Sequence, residues 1–162
     1  MESVDQQYTS CHETADSIAM TSLYIWYMIK KSIATGAILA MLAVILGAFA
    51  AHGLQKYVDS GLMDEKMLRN FETGARYQMY HAIAILICGI IAKVQSESKW
   101  LHASFWLFIT GILLFSGSLY LLSVRNVIGL ESWHWLGPVT PLGGVAFIAG
   151  WIMLILHATR SK

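Results

Sequence analysis

The chain has 162 residues, of which 56% are apolar and only 13% are charged. A soluble domain of this length carries about twice that share of charged residues on its surface, so the composition excludes an ordinary soluble protein. The net charge of +1 provides no basic field for nucleic acid, and the expected partner is the lipid bilayer.

The first 27 residues do not resemble the rest of the chain. Residues 1–17 carry four acidic side chains and no Lys or Arg, which is not the basic start of a secretory signal. Residues 18–29 are apolar but too few to cross a hydrocarbon core, which takes about 20 helical residues. Lys30 and Lys31 then follow. We predict that residues 1–27 are a poorly ordered extension, with Met28 as an alternative start, and that residues 28–162 form one membrane domain.

The first predicted span covers residues 33–51 and contains no charged residue. Small residues recur four positions apart, as in the series Ala43, Gly47 and Ala51, a pattern that lets a second helix approach closely. The alternative is a signal peptide cleaved at Ala48-Phe49-Ala50. The apolar run is longer than the usual signal core of 7–15 residues, which favours a span.

The hydrophilic connection at residues 52–77 includes an amphipathic stretch. Its apolar side chains follow helical spacing and form one stripe, which consists of Met63, Met67, Leu68, Phe71 and Ala75. Acid-before-base pairs at i,i+4 (Glu65 with Arg69, Glu72 with Arg76) support a helix. Such a helix lies in the headgroup plane or caps the bundle, and the sequence alone leaves both open.

Three further spans are predicted at about residues 78–94, 100–123 and 135–157. The fold class is therefore all-α: a polytopic membrane protein with a bundle of four transmembrane helices and a short interfacial amphipathic helix between spans one and two. Small residues on the spans are expected to allow close helix packing. The glycines predicted for this role are Gly36, Gly47, Gly111, Gly117, Gly143 and Gly144.

The distribution of basic residues predicts the orientation. Four spans place both termini and the second loop on one side, which holds six basic residues against five on the other: Lys30, Lys31, Lys93, Lys99, Arg160 and Lys162. Several of these directly flank spans, where basic residues determine topology. We predict a multi-pass protein of the plasma (inner) membrane with cytoplasmic termini.

The predicted topology brings several polar residues to one membrane face, the face of the first loop. This candidate cluster consists of His52, Gln78, His81, Tyr77, Tyr80, Arg76, Glu72 and His134. Three interpretations are open: hydrogen bonds between helices, which has most weight; a path for a proton or small solute through His52, Gln78 and His81; and a haem or metal site at His52 and His81. The absence of a charged residue from the core of any span weakens the second, and the absence of a metal-ligand spacing weakens the third.

No catalytic constellation is readable from the sequence. Ser116 and Ser118 lie in an apolar run without an adjacent acid or base, and Gly143-Gly144 is not part of a phosphate-binding motif. We expect no enzymatic activity, no bound cofactor and no metal. Besides the bilayer, the partners considered are a second copy of the chain, as in a homo-oligomer, and another membrane protein.

Four sequence blocks carry a family resemblance. They are GAFAAHGL at 47–54, FETGARYQMYHAIAIL at 71–86, LFSGSLYLL at 114–122 and GPVTPLGGVAFIAGW at 137–151. In this order they resemble the small membrane proteins of the domain-of-unknown-function 423 family, also called the transmembrane protein 256 family. The resemblance implies a four-span protein, in bacteria at the plasma membrane, and implies no activity or ligand. We therefore expect an integral membrane protein with a structural or assembly role.

Overall fold

A computed structural model describes the backbone of residues 2–95, 98–130 and 132–160, and the side chains of these residues except 2–18, 21, 24, 25 and 134. Within these ranges the chain is helical and contains no strand. The elements in chain order are α1 (Glu2–Ala48), a first π segment (Phe49–Leu54), α2 (Gln55–Asp59), α3 (Glu65–Val94), α4 (Lys99–Gly111), a second π segment (Ile112–Ser116), α5 (Gly117–Val124), a 3-10 turn (Trp133–Leu136) and α6 (Val139–Arg160).

Four of the described helical stretches are long and apolar enough to cross a membrane. They are Trp26–Asp59, Glu65–Val94, Lys99–Val124 and Val139–Arg160. Each contains most or all of one predicted span, which confirms the all-α, four-span architecture. The two π segments interrupt the first and third of these stretches without ending them.

The first apolar stretch begins at Trp26, before the predicted start at residue 33. The helix continues through Lys30 and Lys31, and both ammonium groups lie over aromatic rings. The Nζ atom of Lys30 is 3.4 Å from the ring centroid of Trp26, and that of Lys31 is 4.5 Å from the ring of Trp106. Such cation–π contacts let a lysine stay beside an apolar surface with its charge at the interface.

The structure differs from the prediction of a separate interfacial helix. Residues 65–77 form the first turns of α3, which runs unbroken into the second span. The side chain of Asp64 caps its start by accepting a 2.8 Å hydrogen bond from the backbone N–H of Lys66. Leu68 and Phe71 from the predicted stripe are buried in one cluster with Ala50. The stripe faces the bundle rather than lipid, so the connection extends the core instead of lying in the headgroup plane.

Packing divides the bundle into two pairs of antiparallel helices. α1 packs along α3, and α6 packs along α4. The main core lies among α3, α4 and α6; it consists of Ala84, Ile85, Cys88, Ala92, Leu101, Phe105, Phe108, Ile112 and Phe147. A second core lies beside the first π segment; it consists of Ala50, Leu54, Met63, Leu68 and Phe71.

The helix of the fourth span, α6, begins later than predicted. Trp135, the predicted first residue of the span, lies in the 3-10 turn, and α6 begins at Val139. Pro138 precedes this helix and Pro141 is its third residue. In the first turn of a helix the backbone N–H has no intrahelical partner, so proline costs little there.

Candidate functional site

Gln78 joins three helices at membrane depth. Its side chain on α3 is only 4% exposed. The Nε2 group donates a 2.9 Å hydrogen bond to the backbone oxygen of Leu39 on α1, and the Oε1 atom accepts a 3.0 Å hydrogen bond from the Tyr120 hydroxyl on α5. A buried amide that is paired in this way connects helices without leaving a polar group exposed to lipid.

His81 forms a second network, directed at α6. It is 5% exposed, and its ring stacks on Phe147 with centroids 3.4 Å apart. The Trp151 Nε1–H donates to the Nε2 atom of His81 over 3.3 Å. Because an indole can only donate, Nε2 carries no proton; the Nδ1–H therefore donates to the backbone oxygen of Tyr77 over 2.8 Å. These bonds define a neutral imidazole in a single tautomer.

The structure does not assemble the predicted cluster into one site. Gln78 and His81 belong to separate networks, and within the described part of the chain no hydrogen bond joins them. His52 lies exposed in the first π segment. His134 lies in the 3-10 turn, and its side chain is outside the described residues.

The remaining cluster residues lie at the surface of α3. Tyr77 and Tyr80 are 39% and 54% exposed. Glu72, Arg76 and Tyr80 line an open groove between α1 and α3 with a volume of about 410 Å³, whose other lining residues are Ala43, Gly47, Ala75 and Met79. The predicted Glu65–Arg69 ion pair forms at 2.9 Å, whereas no ion pair joins Glu72 to Arg76 in the described ranges.

Two polar contacts between helices were not predicted from the sequence. Ser104 on α4 donates a 2.9 Å hydrogen bond to the backbone oxygen of Gly150 on α6. The hydroxyls of Ser118 and Thr140 lie 2.7 Å apart. Ser118 and Thr140 lie in two of the family blocks, so the sequence drew attention to each residue but did not show that they pair. Ser104 lies in an apolar run, and nothing in the sequence marked it as a contact residue.

A third network closes the opposite end of the bundle. The Oγ atom of Ser98, the cap of α4, lies 2.6 Å from Nδ1 of His157. The Nε2 atom of the same ring lies 3.2 Å from Oε1 of Gln95. His157 is only 2% exposed and joins the end of α6 to the loop between α3 and α4. A buried histidine that joins two chain segments in this way has a structural role rather than a substrate-binding one.

Three of the predicted packing glycines lie at close helix contacts. A Cβ atom at Gly36 would stand 2.9 Å from the backbone oxygen of Ala82, and one at Gly143 would stand within 2.8 Å of the backbone of Phe115. At Gly111 it would overlap the Phe147 ring. Space is open beside Gly47 and Gly117, and Gly144 meets only an ordinary contact. Gly150, which was not among the predicted glycines, also lies at a close contact, because a Cβ there would stand 2.6 Å from the Phe108 ring.

The geometry bears on metal and haem binding. Among the described side chains, no group of three His, Cys, Asp or Glu residues is close enough to hold a metal ion. Of the two residues considered for haem, His52 is exposed and His81 is buried. Gln78 and His81, the buried site residues, each hydrogen-bond to another helix.

Comparison with known proteins places these residues in a family. A profile described as "Protein of unknown function (DUF423)" matches residues 46–144. The UPF0382 membrane protein YwdK of Bacillus subtilis is 44% identical over 131 residues, which cover 81% of this chain and 98% of YwdK. A UPF0382 membrane protein of Haemophilus influenzae is 41% identical over 137 residues, which cover 83% of this chain and 98% of the relative. No solved structure matches the chain.

Proposed function

The chain belongs to the DUF423 family of small membrane proteins, and from this premise we propose that it is a non-enzymatic structural or assembly component of the bacterial plasma membrane. One observation supports this role. Buried polar side chains of the second and third spans form hydrogen bonds from helix to helix, as Gln78, His81 and Ser104 do. Side chains used in this way stabilise a bundle and do not line a hydrated path.

The proposal includes an orientation. The basic residues Lys30, Lys31, Lys93, Lys99 and Arg160 lie at one end of the bundle. Basic residues that flank spans stay preferentially in the cytoplasm, so this end is assigned to the cytoplasmic side. A cysteine placed at exposed Asp59 should then react with an impermeant thiol reagent from outside the cell, and a cysteine at Lys99 should not.

The role is tested by separating stability from transport. In the purified protein, His81→Ala and Gln78→Leu should each lower Tm by about 3 °C or more, because each leaves buried partners without hydrogen bonds. His52→Ala is the matched control; its exposed ring should leave Tm unchanged. In proteoliposomes under an imposed pH gradient, all four proteins should carry no more proton flux than empty vesicles.

Two results would contradict a structural role. Wild-type flux above that of empty vesicles, lost in Gln78→Leu or His81→Ala while Tm is kept, would support a permeation function instead. A Soret band or near-stoichiometric metal in the purified protein, lost in the His52→Ala/His81→Ala double variant, would support a cofactor function.

A further inference from the structure

The groove between α1 and α3 has a small-residue floor beside two charged side chains. Gly47 contributes open space, since nothing lies within 4 Å of a Cβ built there. Glu72 and Arg76, one turn apart on α3, both line the groove. The groove shares no residue with the Gln78 or His81 networks, so its occupant does not depend on the proposed structural role.

The charged part of the groove lies at the depth of lipid headgroups. From Lys93, at one end of the second span, to Glu72 the helix rises ~31 Å at about 1.5 Å per residue. The hydrocarbon core of a bilayer is about 30 Å thick. With Lys93 in one headgroup layer, Glu72 reaches the opposite one, and Arg76 lies about one turn, ~6 Å, closer to the acyl chains.

The two charges are available to a bound group. Arg76 is exposed and Glu72 is half-buried, and the described residues give neither of them an ion-pair partner. The preceding pair on the same helix behaves differently: Glu65 and Arg69 meet at 2.9 Å, with side chains 72% and 64% exposed. α3 therefore carries one closed pair outside the groove, Glu65 and Arg69, whose charges meet. It carries one open pair inside the groove, Glu72 and Arg76, whose charges do not meet.

We propose that this groove binds a phospholipid whose headgroup carries both a phosphate and a primary ammonium group, as in phosphatidylethanolamine. The Arg76 guanidinium is placed to bind the phosphate, since its planar donors match phosphate oxygens. The Glu72 carboxylate is placed to accept hydrogen bonds from the ammonium group. The small residues Ala43, Gly47 and Ala75 leave room beside the charges for the glycerol and the start of an acyl chain.

Charge complementarity selects this headgroup over other common ones. Phosphatidylglycerol has no cation, so the Glu72 carboxylate would lie near the phosphate with no positive headgroup charge to pair with. Phosphatidylcholine carries a quaternary ammonium that has no N–H to donate to the carboxylate. A second copy of the chain could also pair Glu72 with Arg76 across a two-fold axis, and the experiment includes that outcome.

The test is native mass spectrometry of the detergent-purified protein with an equimolar mixture of phosphatidylethanolamine, phosphatidylglycerol and phosphatidylcholine. The wild type should retain phosphatidylethanolamine about tenfold better than the other two lipids, the difference expected of one charge-assisted hydrogen bond. Arg76→Gln should reduce retention of all three, and Glu72→Gln should remove the preference. Arg69→Gln and Glu65→Gln, from the closed pair outside the groove, are matched controls that should retain the wild-type pattern.

A third variant tests the groove itself. Gly47→Leu fills the open space and should lower lipid retention while Tm is kept. Equal effects of Arg76→Gln and Arg69→Gln, or equal retention of the three lipids by the wild type, would overturn the proposal. Full competition by inorganic phosphate or by glycerophosphoethanolamine would assign the site to a soluble phosphate compound instead of a membrane lipid. A dimer mass that is lost in Gly47→Leu and in Arg76→Gln, without lipid loss, would assign it to a second copy.

Discussion

The Trp151 indole on α6 donates a hydrogen bond to the Nε2 atom of His81 on α3 over 3.3 Å. The two residues are separated by 70 positions, and the bond determines which nitrogen of the imidazole carries the proton. The same ring is held against Phe147. One buried histidine is thereby fixed in position, tautomer and charge by a helix far away in the sequence.

This relationship predicts a single histidine tautomer. In the ¹⁵N NMR spectrum of the protein, His81 should show a protonated Nδ1 and an unprotonated Nε2 at neutral pH. Trp151→Phe removes the only donor that the described structure gives Nε2, so the fixed tautomer should give way to a mixture and Tm should fall. Trp106→Phe is the control, because the Trp106 N–H donates to His102 instead. A protonated Nε2 in the wild type would contradict the assignment.

The Gln78 network predicts a measurable coupling between α3 and α5. Gln78→Leu and Tyr120→Phe each remove one side of the 3.0 Å bond, and each should lower the free energy of unfolding. The double variant should lose less than the sum, with a coupling of about 0.6 kcal/mol, the average for hydrogen bonds between membrane helices, and at most about 1.7 kcal/mol. The measurement is reversible unfolding of all four proteins in mixed micelles. Additive effects would show that the bond contributes nothing.

Adjacent glycines on α6 should differ sharply in tolerance. A Cβ at Gly143 would lie 2.3 Å from the backbone nitrogen of Phe115, and backbone can move only if the helices separate. Gly143→Ala should therefore cost about 1–3 kcal/mol. Gly144→Ala meets only a 3.9 Å contact with the Phe115 ring and should be neutral or slightly stabilising. Thermal unfolding of the two variants compares them directly; equal Tm values would contradict the packing seen at Gly143.

Two buried serines should respond oppositely to removal of the hydroxyl. The Oγ atom of Ser116 is buried without a hydrogen-bond partner in the described structure, whereas that of Ser104 donates to Gly150 over 2.9 Å. Ser116→Ala removes an unpaired polar atom and should raise the free energy of unfolding by about 1 kcal/mol. Ser104→Ala should lower it by about the same amount. A loss of stability in Ser116→Ala would indicate a hydrogen bond formed with water or a bound group.

The four spans could be predicted from the sequence because span formation depends mainly on local composition. A helix crosses a bilayer when about 20 consecutive residues are apolar, whatever the neighbouring helices do. The exact ends of the spans could not be predicted in this way, because they depend on contacts with other helices. Lys30 and Lys31 looked like a boundary, yet the structure carries the helix past them, with the Lys31 ammonium over the Trp106 ring on α4.

The partners of the polar residues depended on the tertiary structure. The sequence grouped His52, Gln78 and His81 by depth, but depth does not specify the direction in which a side chain points around its helix. That direction depends on how each helix is rotated against its neighbours. The π segments at Phe49–Leu54 and Ile112–Ser116 change it further, because a π turn contains more residues than an α turn and shifts every following side chain.

The sequence by itself therefore determined that this protein is a four-span helical membrane protein of the DUF423 family. The tertiary structure alone determined that Gln78 binds α1 and α5, that His81 binds α6, and that Glu72 and Arg76 stay apart in a groove. The physical reason is that hydropathy sums over neighbours along the chain, whereas hydrogen bonds and close helix contacts join residues that are dozens of positions apart.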